Sequence, residues 1–128
     1  FSNAATVPSS AAPNGYLSPF WDDLDLAVVK AETVGGAFVI QWDASIYASG
    51  TLDNNVRFQL HLQPGGGIEY HYCSATAGSL TNGAARIAGS SATIAAESLD
   101  GTQGSYISIN TELTSLTWGT SAWGWTIP

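Results

Sequence analysis

The strongest constraint on this chain is an alternation of apolar and polar residues with period two, repeated over three segments. Residues 37–43 read AFVIQWD, which sets Phe38, Ile40 and Trp42 against Val39, Gln41 and Asp43. Residues 56–62 read VRFQLHL, where Val56, Phe58, Leu60 and Leu62 alternate with Arg57, Gln59 and His61. Residues 68–73 read IEYHYC, where Ile68, Tyr70 and Tyr72 alternate with Glu69, His71 and Cys73. A strand turns successive side chains to opposite faces, so each segment reads as a half-buried strand. The apolar sets are expected to share one core.

Turn chemistry separates these runs. Gly35-Gly36, Pro64-Gly65-Gly66-Gly67 and Asp100-Gly101 supply the positive φ that tight turns require. Further strands are expected near 26–33, 92–98, 105–110, 115–119 and 122–127. The Ala-rich stretch 84–98 permits a short helix, but Gly89 and Ser90-Ser91 interrupt it, which favours a loop followed by a strand. Seven or eight short strands with close turns predict an all-β, antiparallel β-sandwich, with a partly open β-barrel as the alternative. With 128 residues the chain is long enough to bury a core without cross-links. Residues 14–128 read as a single domain and 1–13 as an extended lead-in.

The middle hairpin allows a register to be written down. If Phe58, Leu60 and Leu62 share a face with Tyr72, Tyr70 and Ile68, the pairs are 58 with 72, 60 with 70 and 62 with 68. Pro64-Gly65-Gly66 then forms a three-residue loop with Gly66 in the left-handed region. The outer face pairs His61 with Glu69, Gln59 with His71 and Arg57 with Cys73. His61 and His71 become diagonal neighbours. They are either a polar surface pair, with Glu69 favouring the charged form of His61, or with Glu69 a transition-metal site.

Composition narrows the function classes. Three basic residues face ten acidic ones, for a net charge of −7. Such a surface repels phosphate backbones and anionic lipid, which argues against nucleic acid and against the membrane surface as partners. No stretch approaches the roughly 20 apolar residues that span a bilayer, so no membrane insertion is expected. Charged residues make up only 10% of the chain, against roughly 25% in an average soluble domain. Small polar residues replace them, a bias that points to a secreted or cell-surface setting. The single cysteine, Cys73, cannot close an internal disulfide; it is either a small hydrophobe on a strand or a thiol for another chain.

The sequence carries no recognisable catalytic constellation. Both histidines fall on one hairpin and its outer face, and no serine sits in a strained elbow. Lys30, the only lysine, is the one residue available for Schiff-base chemistry or a Lys–Asn cross-link. A glycoside-cleaving carboxylate pair would need two of the ten acids to meet, which is the enzyme alternative. Asp22, Asp23 and Asp25 form the densest acidic cluster. Three carboxylates within four residues suit calcium, while the simpler reading is a turn capped by one aspartate beside a core Trp21. Among five tryptophans, Trp21 and Trp42 read as core. Trp118, Trp123 and Trp125 are the candidates for a ligand-binding platform, with core filling as the alternative.

Three stretches carry a resemblance: PNGYLSPFWDDLD at 13–25, AFVIQWDASIY with VRFQLHLQPGGGIEYHY, and SATIAAESLDGTQGSYISIN. In this order they resemble an extracellular module of secreted bacterial multidomain proteins, including those of myxobacterial type. They are more distantly similar to the nidogen-type extracellular domain. The chain departs from that pattern at Ala95, where glycine is common. The resemblance implies an all-β accessory module, no catalytic residue, and a strand ending at Phe1. The expected function is therefore non-catalytic binding or adhesion outside the cell, contacting protein or carbohydrate. The alternative is a structural or assembly module completed by a strand from a neighbouring domain or chain.

Overall fold

The computed structural model describes residues 3, 6–48, 51–78 and 82–126. Among the described residues, eight strands and one helical turn follow in order: β1 (Leu17–Trp21), β2 (Leu24–Val34), β3 (Ala37–Ala48), β4 (Thr51–Leu62), β5 (Gly67–Thr76), α1 (Gly83–Ile87), β6 (Thr93–Glu97), β7 (Gly104–Ile109) and β8 (Ala122–Thr126). They form two antiparallel sheets, one of order β1-β6-β7 and one of order β2-β3-β4-β5-β8. The architecture is the expected sandwich and no closed barrel. Phe1, read as the end of an upstream strand, lies outside the described residues.

The hairpin of β4 and β5 adopts the expected register: Phe58 opposes Tyr72, Leu60 opposes Tyr70, Leu62 opposes Ile68, and His61 opposes Glu69. Gly66, at φ 82°, closes the loop by donating its N–H to the Gln63 carbonyl at 3.0 Å. One outer pair differs. A bulge between Arg57 and Phe58 sets Arg57 opposite Ser74, and Cys73 becomes the extra residue. Arg57 instead bonds the Asp43 carboxylate across the sheet, and that contact holds the Asp43 carboxyl below its ordinary range.

The core lies between the sheets. Phe58, Leu60, Ile68, Tyr70, Tyr72, Ile46 and Val56 of the large sheet meet Phe20 of β1 and Ile94 of β6. Two hydroxyls bolt one sheet to the other: Tyr70 donates to the Ala95 carbonyl at 2.7 Å and Tyr72 to the Pro19 carbonyl at 2.6 Å. Burial pushes both phenols well above their ordinary value. Residues before β1 lie against the small sheet, with Val7 buried and the Ser9 N–H donating to Glu97.

Three expectations change. Phe38 is 45% exposed, while Val39 on the opposite face is buried; Ile40 and Trp42 pack only at the margin of the core. The cause is coverage: a three-stranded sheet cannot span the inner face of a five-stranded one, and the end of β3 overhangs. Residues 83–87 are helical, where a loop was expected. Gly83 there approaches the fully buried Asn54 so closely that a Cβ would sit 2.8 Å from its Oδ1. Residues 115–119 form turns and no strand, and Trp118 reaches back to donate its Nε1–H to the Ile87 carbonyl at 3.0 Å. The position of Ala95 is also distinctive: the ladder between β6 and β7 shifts register between Ile94 and Ala95.

Candidate functional site

Part of the inner face of the large sheet is left uncovered and exposes apolar side chains. Directly opposite residues share a face, so Val29 lies beside Trp42, Ala31 beside Ile40 and Thr33 beside Phe38. Val29 is 55% exposed. Strand β1 pairs with β6 on one side only. Between β1 and the Trp42 end of this strip lies an apolar groove of about 400 Å³, lined by Tyr16, Leu17, Trp21, Leu24, Trp42 and Phe58 among others. Trp42 stacks on Phe58 with ring centroids 5.3 Å apart, and Tyr16 meets Trp21 edge-on at 5.3 Å. Rigid aromatic walls of this kind offer large contact area at small entropic cost.

The aspartate cluster sits at the end of β1 and does not gather its carboxylates at one point. Asp22 is buried; its Oδ1 accepts from the Asp23 N–H at 2.8 Å and its Oδ2 from the Ser91 hydroxyl at 2.7 Å. Burial raises its pKa, against the lowering pull of those hydrogen bonds and of Arg86. Asp25 is exposed on β2, opposite Ser45. The geometry is that of an aspartate capping a turn.

Trp118 and Trp123 are half-buried and meet Tyr72 edge-on at 5.5 and 5.0 Å. Both pack against the core. Trp125 opposes Ile68 in the β8 ladder, and its side chain lies outside the described residues. The aromatic groove is built instead from Trp21 and Trp42, which the sequence pattern assigned to the core. The available signal was the unbroken apolar run Pro19-Phe20-Trp21, which places apolar side chains on both faces.

On the outer face of the large sheet, His61 and His71 stack with ring centroids 4.1 Å apart and planes inclined by 21°. Glu69 accepts from His71 Nε2 at 2.8 Å, while His61 Nε2 meets Gln59 Oε1 at 2.8 Å. The expected partnership of Glu69 with His61 thus goes to His71. Burial, helped by the neighbouring His71, lowers the pKa of His61 despite Glu69 nearby. Hydrogen bonding from His71 lowers that of Glu69.

Two antiparallel sheets around a single core make this a β-sandwich module. The family described as NIDO related matches residues 1–124, and the chain belongs to it. Such domains are typically extracellular, and no helix among the described residues is long and apolar enough to cross a membrane. No curated protein and no solved structure matches the chain.

Proposed function

We propose that this chain is a non-catalytic extracellular binding module whose groove beside β1 takes an extended polypeptide segment. The observation that supports it is the juxtaposition of an edge strand with an apolar floor of Leu24, Trp42 and Phe58. A single added strand would lie over that floor and complete the small sheet. Pro19 within β1 has no amide to donate, so side chains seated in the groove supply most of the affinity and backbone pairing supplies register. Carbohydrate is the weaker partner for this groove, because few polar groups line it to orient hydroxyls. Against a serine- or cysteine-type triad, the two histidines are hydrogen-bonded to Gln59 and Glu69, neither of which is a hydroxyl or thiol nucleophile.

Peptide display against the immobilised domain tests the reading. Selected sequences should alternate apolar residues at period two, slow amide exchange at Leu17 and Trp21, and lose at least tenfold in affinity against Leu24→Lys. Selection of no such peptide, or binding of a glycan panel that depends on Trp21 instead, would overturn it.

A further inference from the structure

We infer that His61, Glu69 and His71 form a binding site for a borderline divalent metal ion, zinc or copper in preference to calcium or magnesium. The site lies on the opposite face of the large sheet from the groove, so it stands independently of the proposed peptide binding. Three observations carry it.

The first is convergence. One ligand atom from each of the three side chains lies within 4.8 Å of the other two. Around zinc, nitrogen and oxygen donors sit at about 2.0–2.2 Å from the metal, which places tetrahedral neighbours roughly 3.4 Å apart. Small rotations of half-exposed side chains close the remaining distance. The ladder makes the convergence robust, because Glu69 directly opposes His61 while His71 opposes Gln59, one step along the same face. No loop has to order for the ligands to meet.

The second is support around the ligands. Metal-binding imidazoles commonly direct their second nitrogen to a fixed oxygen, which sets tautomer and ring orientation. His61 has such a partner in Gln59 Oε1, and the Gln59 amide in turn donates to Gln41 Oε1 at 2.7 Å. The Gln41 amide donates to Asp43 at 2.9 Å, so the row is anchored across two strands. At His71 the ion replaces the proton now shared between Nε2 and Glu69. That proton moves to Nδ1 when the imidazole is neutral and leaves to solvent when it is charged.

The third is space and chemistry. On β8 the residues opposite Glu69 and His71 are Gly124 and Ala122, which leave the approach to the site open. Two nitrogens and one carboxylate suit zinc, copper or nickel, whereas calcium prefers six to eight oxygens. With only three donors from this chain, the remaining positions are left to water or to a group from another molecule.

Calorimetric titration of untagged protein with zinc chloride at pH 7.5 tests the assignment. One ion per chain is expected, with copper binding more tightly than zinc and calcium not at all. Affinity should fall steeply below pH about 6.5, where free imidazole protonates. His61→Ala and His71→Ala should each abolish the heat of binding, and Gln59→Leu should weaken it about tenfold. Wild-type histidine side-chain NMR provides a readout that needs no variant: both imidazoles should shift on zinc addition. Unmoved imidazoles, or zinc binding that survives in the His61→Ala/His71→Ala double variant, would overturn the site.

Discussion

Removing the Tyr72 hydroxyl tests how the two sheets are held together. Tyr72→Phe retains the ring and its edge contacts with Trp118 and Trp123. It deletes only the donor that reaches the Pro19 carbonyl at 2.6 Å, in a residue that is itself buried. Losing that bond and stranding the carbonyl costs about 2 kcal/mol. With an unfolding entropy of about 2.1 cal/mol/K per residue, 128 residues give a fall in melting temperature of about 7 °C. Tyr70→Phe should cost less, about 1 kcal/mol, because the Ala95 carbonyl also accepts from the Ser18 hydroxyl at 3.1 Å. The pH dependence supplies a second reading. Burial raises both phenol pKa values, so the folded state keeps the proton where the unfolded chain loses it. Their contribution is complete below pH about 10 and is lost as pH rises beyond it. Urea midpoints of the wild type should therefore fall between pH 9 and 11, and those of the Tyr70→Phe/Tyr72→Phe variant should fall less. Equal alkaline losses, or a Tyr72→Phe variant as stable as wild type, would refute the bolting role.

Four further outcomes are expected. With metal removed, stability should decline as pH drops below about 6.5, because the folded state disfavours protonated His61 while the unfolded chain does not; His61→Gln should flatten that decline in urea titrations. Gly83→Ala should destabilise by about 1–3 kcal/mol in thermal unfolding, since its Cβ would press on the buried Asn54 amide. Asp22→Ala should cost about 1–3 kcal/mol by depriving the Ser91 hydroxyl and Asp23 N–H of their acceptor. Calcium should leave the melting temperature of metal-free protein unmoved, and a rise of several degrees with calcium would favour a calcium role for Asp22, Asp23 and Asp25.

How far the sequence could be read depended on whether the deciding physics was local. The register of β4 and β5 was legible because strand parity and one glycine-closed loop left a single arrangement that keeps Tyr70 and Tyr72 inside. The bulge at Cys73 was not, since one inserted residue leaves the alternation before it intact. Strand β1 escaped notice because LSPFW has no alternation: its three central residues are all buried, and it contains Pro19. Phe38 was misplaced because its burial depends on how far the opposing sheet reaches, which no local pattern encodes. The same non-local effect hid the groove: Trp21 and Trp42 do face inward, but toward a part of the sandwich left open. The histidine pair was visible as diagonal neighbours, whereas the choice of His71 as the partner of Glu69 depended on rotamers and on Gln59.

The order of strands also sets an order of events. Strands β2 to β5 are joined by short connections, each pairing with the next in sequence, so their contacts close early at small entropic cost. The small sheet has no such advantage: Leu17 must find Ala96 across most of the chain. Refolding should thus form the meander first and cap it last, with β1 waiting for β6. The hydroxyl bonds of Tyr70 and Tyr72 span that final junction. Deleting them should therefore accelerate unfolding while leaving the folding rate nearly unchanged, the kinetic mark of contacts made after the barrier is crossed.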